Sequence, residues 1–133
     1  MHNPIIVIGA AGLAGWVFGA VWYTVLGRVW QQALGRDPEA CKGQKMPLTP
    51  LVVALVAAWV MSAVLYQVLL NLGVMGILNG AIAGLTIGVG FLATSVLVNN
   101  MFQQKRFLVT VIDGAHWVLA VTLEAVIIMA MTA

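Results

Sequence analysis

Four long apolar runs separated by three polar interruptions organise this chain: Pro4 to Gly27, Leu51 to Leu72, about Ile77 to Met101, and Phe107 to Met131. Each exceeds the ~20 residues that carry a helix across roughly 30 Å of hydrocarbon. In lipid the backbone must satisfy its own polar groups, so runs of this length read as spanning helices. The pattern predicts an all-α integral membrane protein, four transmembrane helices in an antiparallel bundle, forming a single domain over 1–133 with spans at about 4–27, 51–72, 77–101 and 107–131. Thr49-Pro50 reads as an N-cap followed by proline at the first helical position, and Asn71-Leu72-Gly73 as a C-cap. Gly73 to Gly76 leaves room only for a tight hairpin, so the second and third spans are expected to be antiparallel neighbours. The connection 28–49 is the only substantial extramembrane segment, and Arg28 to Leu34 is expected to continue the first helix or lie in the interface, with Trp22, Tyr23 and Trp30 at headgroup depth.

Charge adds an orientation. All six Lys and Arg (Arg28, Arg36, Lys42, Lys45, Lys105, Arg106) fall in the first or third connection. By the positive-inside rule these two basic loops are cytoplasmic and both termini lie outside. Positive charges that follow the first run also speak against a cleaved signal peptide. The expected location is the bacterial inner membrane, multi-pass, N-out and C-out, with the periplasm beyond. Composition agrees: 62% of residues are hydrophobic and 8% charged, against about 25% charged in soluble domains. A net charge of +2, confined to loops, gives no basic stripe for nucleic acid. Cys41 is the single cysteine, which excludes an intramolecular disulfide, a CxxC pair and a thiolate metal cluster. No metal and no cofactor is expected.

Small residues mark packing faces. Gly76, Gly80, Gly84 and Gly88 form a four-residue ladder whose face is expected to continue through Ser95 and Asn99, and Ala11, Gly15 and Gly19 repeat the device on the first span. Such spacing lets helix backbones approach where lipid supplies no water-exclusion force. Packing within one bundle and a seam between copies both satisfy it, so the expected partners are the lipid bilayer and either this chain itself or another membrane protein.

Asp113, His116 and Glu124 are the only Asp, Glu, Lys, Arg or His residues inside the four runs. Intramembrane ionisable residues are costly and mark ion or proton pathways often enough to be the first candidates for chemistry. At 100° per residue Asp113, Trp117, Ala120 and Glu124 share one face, with His116 to its side. Counting about 1.5 Å per residue places Asp113 roughly 9 Å deep and Glu124 roughly 25 Å along, about 16 Å apart and too far to share a proton or a metal ion. Glu124 is therefore expected at the outer interface, Asp113 tied to Asn99 across the hairpin at Gln103 to Arg106, and His116 packed without a ligand. The competing reading is a proton relay through two or more of them. Trp59, Tyr66 and Gln67 are weaker candidates for a pocket, and Gly9, Gly12 and Gly15 lack the strand-to-helix context of a phosphate loop.

Three stretches together resemble a known family: Gly19-Ala-Val-Trp22-Tyr23 with Gly27-Arg28-Val-Trp30; Gly90-Phe91 through Thr94 to Asn99; and Arg106 followed by Val111-Ile112-Asp113-Gly114. They look like a bacterial membrane family catalogued as domain of unknown function 1761. The resemblance implies a four-span inner-membrane protein and brings no activity, substrate or cofactor. Trp22, Tyr23, Asn99 and Asp113 fall on the family pattern, while Glu124 and His116 depart from it.

The reading that follows is a small membrane component without enzymatic activity, a helix-packing homo-oligomer or an accessory subunit of a membrane complex. The alternative is a small proton-coupled transporter or channel using Asp113 and His116. A lipid- or glutathione-processing enzyme would need clustered Arg, Glu and Asn at one membrane face, a cluster this sequence does not suggest.

Overall fold

The computed structural model describes residues 2–40 and 47–132. Cys41, Lys42 and Lys45 lie outside the described residues. The chain forms α1 (Pro4–Val25), a short α2 (Gly27–Ala33), α3 (Leu48–Asn71), α4 (Ile77–Phe102) and α5 (Phe107–Thr132), and all but α2 are long and apolar enough to cross a membrane. Among the described residues there is no strand.

Local chemistry explains the boundaries. Asn3 Oδ1 accepts from the Ile5 amide at 2.8 Å, with Pro4 opening α1. The first span does not run unbroken to Gly27: the chain bends at Leu26 (φ −98°, ψ 4°) and α2 leaves in a new direction. α3 begins two residues earlier than the Thr49-Pro50 pair suggested. Pro47 is extended (φ −61°, ψ 137°) and acts as the N-cap, which leaves Thr49 and Pro50 inside the first turn, where a missing amide has no intrahelical partner to lose. Three helices end alike. After α2, α3 and α4 a residue turns left-handed (Gly35 φ 82°, Gly73 φ 68°, Gln104 φ 56°), and its own amide and the next one bond back to the last turn, as in Val74 N to Leu69 O at 3.0 Å and Lys105 N to Asn100 O at 3.0 Å.

α5 is the central helix. It packs on α1, on α3 and along the whole of α4, and α1 also packs on α3. The expectation that the second and third spans are neighbours is not met: among the described residues α3 and α4 form no comparable packed pair. The reason lies in the glycine ladder, which turns α4 toward α5. A Cβ on Gly84 would lie 2.7 Å from Thr122 Cα, one on Gly88 would lie 2.9 Å from Val118 Cα, and one on Gly80 would run into Met129. Gly76 does not belong to this face. It precedes α4 as its N-cap at φ 85°, with nothing near it.

Past Gly88 the helix widens into a π-turn over Gly88–Ala93. Each additional residue accommodated in a turn rotates the following face by about 100°. The expected continuation through Ser95 and Asn99 is therefore displaced by one position, and Ser95 and Asn99 are exposed. Asn100 is buried in their place, donating to Thr110 Oγ1 of α5 at 3.2 Å.

The remaining contacts join α1 to α3 through carbonyls of α1 and α3 that accept from side chains. Ser62 Oγ donates to Ile8 O at 2.9 Å, Trp59 Nε1 to Gly9 O at 3.2 Å, and Trp16 Nε1 to Leu51 O at 3.1 Å. Val7, Ala11, Leu65, Leu69, Val121, Ala125, Ile128 and Met129 then close into one apolar cluster among α1, α3 and α5.

Candidate functional site: the polar seam between α1 and α5

The ionisable residues of α5 all meet α1 or its extension α2, and they do so in order along the seam. At the end near the basic connections, Asp113 Oδ1 accepts from Tyr23 Oη at 2.5 Å and from Trp30 Nε1 of α2 at 3.0 Å. Trp22 Nε1 donates to the neighbouring Ile112 carbonyl at 3.1 Å. The bend at Leu26 makes this possible, because it brings Trp30 back over the start of α5. Tyr23 and Trp30 meet edge-on at 5.2 Å, and Arg36 stands over the Trp30 ring at 6.0 Å. The three aromatics expected as headgroup anchors are thus occupied in holding the first turns of α5. Asn99, expected as the partner of Asp113, is exposed and plays no part; the side-chain tie between α4 and α5 is Asn100 with Thr110.

One turn further along α5, His116 is 7% exposed. Its ring stacks on Phe18 (6.0 Å, 5°), lies 5.0 Å from Tyr23 and meets Trp117 edge-on at 4.7 Å. Its Nε2 faces Gly19, where a Cβ would lie 2.8 Å away. Nδ1 is buried without a hydrogen-bond partner among the described residues.

Glu124 lies deeper still. The expectation of a solvated position at the outer surface is overturned, since Glu124 is 2% exposed. α1 and α3 continue past it, and Val7, Ala11, Leu65 and Leu69 cover the seam on the side away from the basic connections. Its carboxyl rests against Gly15, whose missing side chain makes the space, and Oε2 has no partner among the described residues. Gly15 and Gly19 are therefore not places where two backbones touch. Each gives up a Cβ so that an ionisable side chain of α5 can lie on the α1 backbone.

The weaker candidates separate. Trp59 bonds to α1, Tyr66 packs half-buried on the apolar cluster, and Gln67 is exposed, so they line no common pocket. Gly12 is filled by Trp59, and Gly9 is open. Among the described residues no three of His, Cys, Asp and Glu come close enough to hold a metal ion. Reasoning from sequence missed Tyr23 and Trp30 as partners of Asp113, although both stand in the motifs that carry the family resemblance. It also missed Ser62, a single small hydroxyl in an apolar run.

Neither the curated proteins nor the solved structures contain a match to this chain. A family model described as "Protein of unknown function (DUF1761)" matches residues 6–129, nearly the whole chain, and the protein belongs to that family.

Proposed function

We propose that this protein moves protons along the α1/α5 seam, as a small proton-coupled transporter or channel of the bacterial inner membrane without enzymatic chemistry. Its helices form an antiparallel bundle with both termini outside. The observation that carries the reading is the pair of buried, unpartnered atoms His116 Nδ1 and Glu124 Oε2 on the seam that also holds Asp113. Each such atom costs about 1–3 kcal/mol, and packing alone gives no reason to place two of them on one helix face. Rows of Asp, Glu and His between helices are the form that proton relays take in membranes. The order of contacts supports the antiparallel placement: Gly15 meets Glu124, Gly19 meets His116 and Tyr23 meets Asp113. The distribution of Lys and Arg supports the orientation. Self-association through glycine faces loses its motive, because Gly80, Gly84, Gly88, Gly15 and Gly19 are all filled from within the chain.

Reconstitution tests the proposal. Purified protein in vesicles, driven by a valinomycin potassium potential and read with a pH-sensitive dye, is expected to take up protons. Asp113→Asn and Glu124→Gln are expected to lose about tenfold or more of that flux while keeping the helical circular dichroism of the parent. Equal flux in parent, variants and empty vesicles refutes the reading.

A further inference from the structure

We infer that Glu124 is a proton-binding site that exchanges with only the side of the membrane bearing the 28–49 connection, and that the apolar cluster beyond it is the closed gate to the other side.

The two ends of the seam are built differently. From Glu124 toward the basic connections, α5 presents His116 and then Asp113, with Tyr23 of α1 and Trp30 of α2 on the same side. Asp113 is only partly buried, so this end reaches the surface. His116 is eight residues from Glu124, about 12 Å along the helix, too far for the glutamate side chain to cross; the proton would pass by a short file of water along the strip of α1 where Gly15 and Gly19 carry no side chain. Toward the other end, Val7, Ala11, Leu69, Ala125 and Ile128 are fully buried and Leu65 is 5% exposed. From Glu124 to Thr132 the same count gives about 12 Å, and across it α5 offers this cluster only Ala125, Ile128 and Met129. The one polar side chain buried nearby, Ser62, already donates to the Ile8 carbonyl. A surface cleft lined by Leu70, Val74, Met129 and Thr132 stops at this cluster, and the buried apolar side chains packed between it and Glu124 offer water no polar partner, so protons do not enter from that end in this conformation.

Glu124 suits a binding site. Its Oε2 is buried and no donor among the described residues reaches it, so a bound proton removes an otherwise uncompensated charge. Gly15 keeps the space: a methyl group there would meet the carboxyl. The other titratable or charged side chains on the elements around it are Tyr23 of α1, Arg28 of α2, Tyr66 of α3, and Asp113 and His116 of α5 itself; α4 carries none. Arg28 is engaged with Glu39 at 3.2 Å. The inference rests on the proposed proton path for its purpose, and on the sealed and open ends for its sidedness.

Covalent labelling reads the site directly. Dicyclohexylcarbodiimide dissolves in lipid and reacts with protonated carboxyls in apolar surroundings: the acid proton passes to a carbodiimide nitrogen, the carboxylate adds to the central carbon, and rearrangement leaves a stable N-acylurea. Full-length protein is placed in vesicles whose inner and outer pH are set separately, and orientation is scored by trypsin cleavage in the 28–49 connection, which holds Arg28, Arg36, Lys42 and Lys45. Label at Glu124, located by fragmentation mass spectrometry and absent in Glu124→Gln, is expected to fall severalfold as pH rises on the side of that connection and to ignore pH on the other. Label that follows the opposite side, follows both sides equally, or never appears at Glu124 overturns the inference. Leu69→Ser, which wets the gate, is expected to make labelling respond to both sides; a response that stays one-sided overturns the gate. One-sided labelling without proton flux in the parent protein removes the proposed function and leaves the site standing.

Discussion

Gly84→Ala tests whether the α4 ladder is a seam within the chain. The added Cβ would sit 2.7 Å from Thr122 Cα, 3.0 Å from Ala125 Cβ and 3.3 Å from Val121 O. Carbon atoms rest at about 3.5–4.0 Å, and none of these three atoms is the end of a flexible side chain, so relief requires α4 and α5 to separate by about 1 Å. A gap of that size forfeits a quarter to a half of the attraction of every contact around it, and overpacking of this kind costs about 1–3 kcal/mol. Opposing it is the helix propensity gained on replacing glycine by alanine, about 1 kcal/mol. Gly90→Ala isolates the second effect, because Gly90 is exposed and nothing lies within 4 Å of its Cβ position. The two variants should therefore differ by about 1–3 kcal/mol, with Gly90→Ala the more stable. Reversible unfolding in mixed detergent and SDS micelles, followed by far-ultraviolet circular dichroism, measures the difference. A Gly84→Ala protein as stable as Gly90→Ala would show that α5 does not occupy the ladder.

Tyr23→Phe removes one of two donors to Asp113 Oδ1 and should cost about 1–2 kcal/mol in the same assay, with Trp30→Phe non-additive to it in a double-mutant cycle, since both serve one oxygen. Asn100→Ala should cost about 1 kcal/mol by stranding Thr110, whereas Asn99→Ala should stay within about 0.5 kcal/mol; the reverse order would mean that no π-turn shifts the face. Gln104→Gly should raise stability by about 1 kcal/mol, because the position is left-handed and carries a needless Cβ.

Four spanning-length helices were legible because length and apolarity alone define them, and α4 and α5 begin where the sequence placed them. What escaped depends on rotation. Asn99 and Asn100 differ by one position, and a π-turn that begins eleven residues upstream of Asn99, which no residue type announces, decides which of them faces α5. Glu124 was misplaced for a related reason. Counting along one helix gives depth relative to that helix, whereas burial depends on how far α1 and α3 extend beside it. The partners of Asp113 were hidden by a bend at Leu26, a residue with nothing to mark it as a hinge, although Gly27 follows it.

Glycine spacing was read in sequence as a single device, and the structure divides it in two. On α4 the glycines face backbone and apolar atoms of Thr122, Ala125 and Val118, so their contribution is close packing, and a larger residue there pushes two helices apart. On α1 the glycines face the carboxyl of Glu124 and the imidazole of His116, so a larger residue there displaces ionisable groups. The distinction has an energetic consequence. Lipid is as apolar as the side chains that α4 buries, so α4 gains little from burial and depends on dispersion across a close approach. α1 accepts unpartnered polar atoms at a cost, and it recovers part of that cost in the three carbonyl and indole contacts that tie it to α3 and in the donor, Tyr23, that it lends to Asp113. A helix fastened that firmly at both ends can hold a gap in its middle, and the gap is where Gly15 and Gly19 place Glu124 and His116.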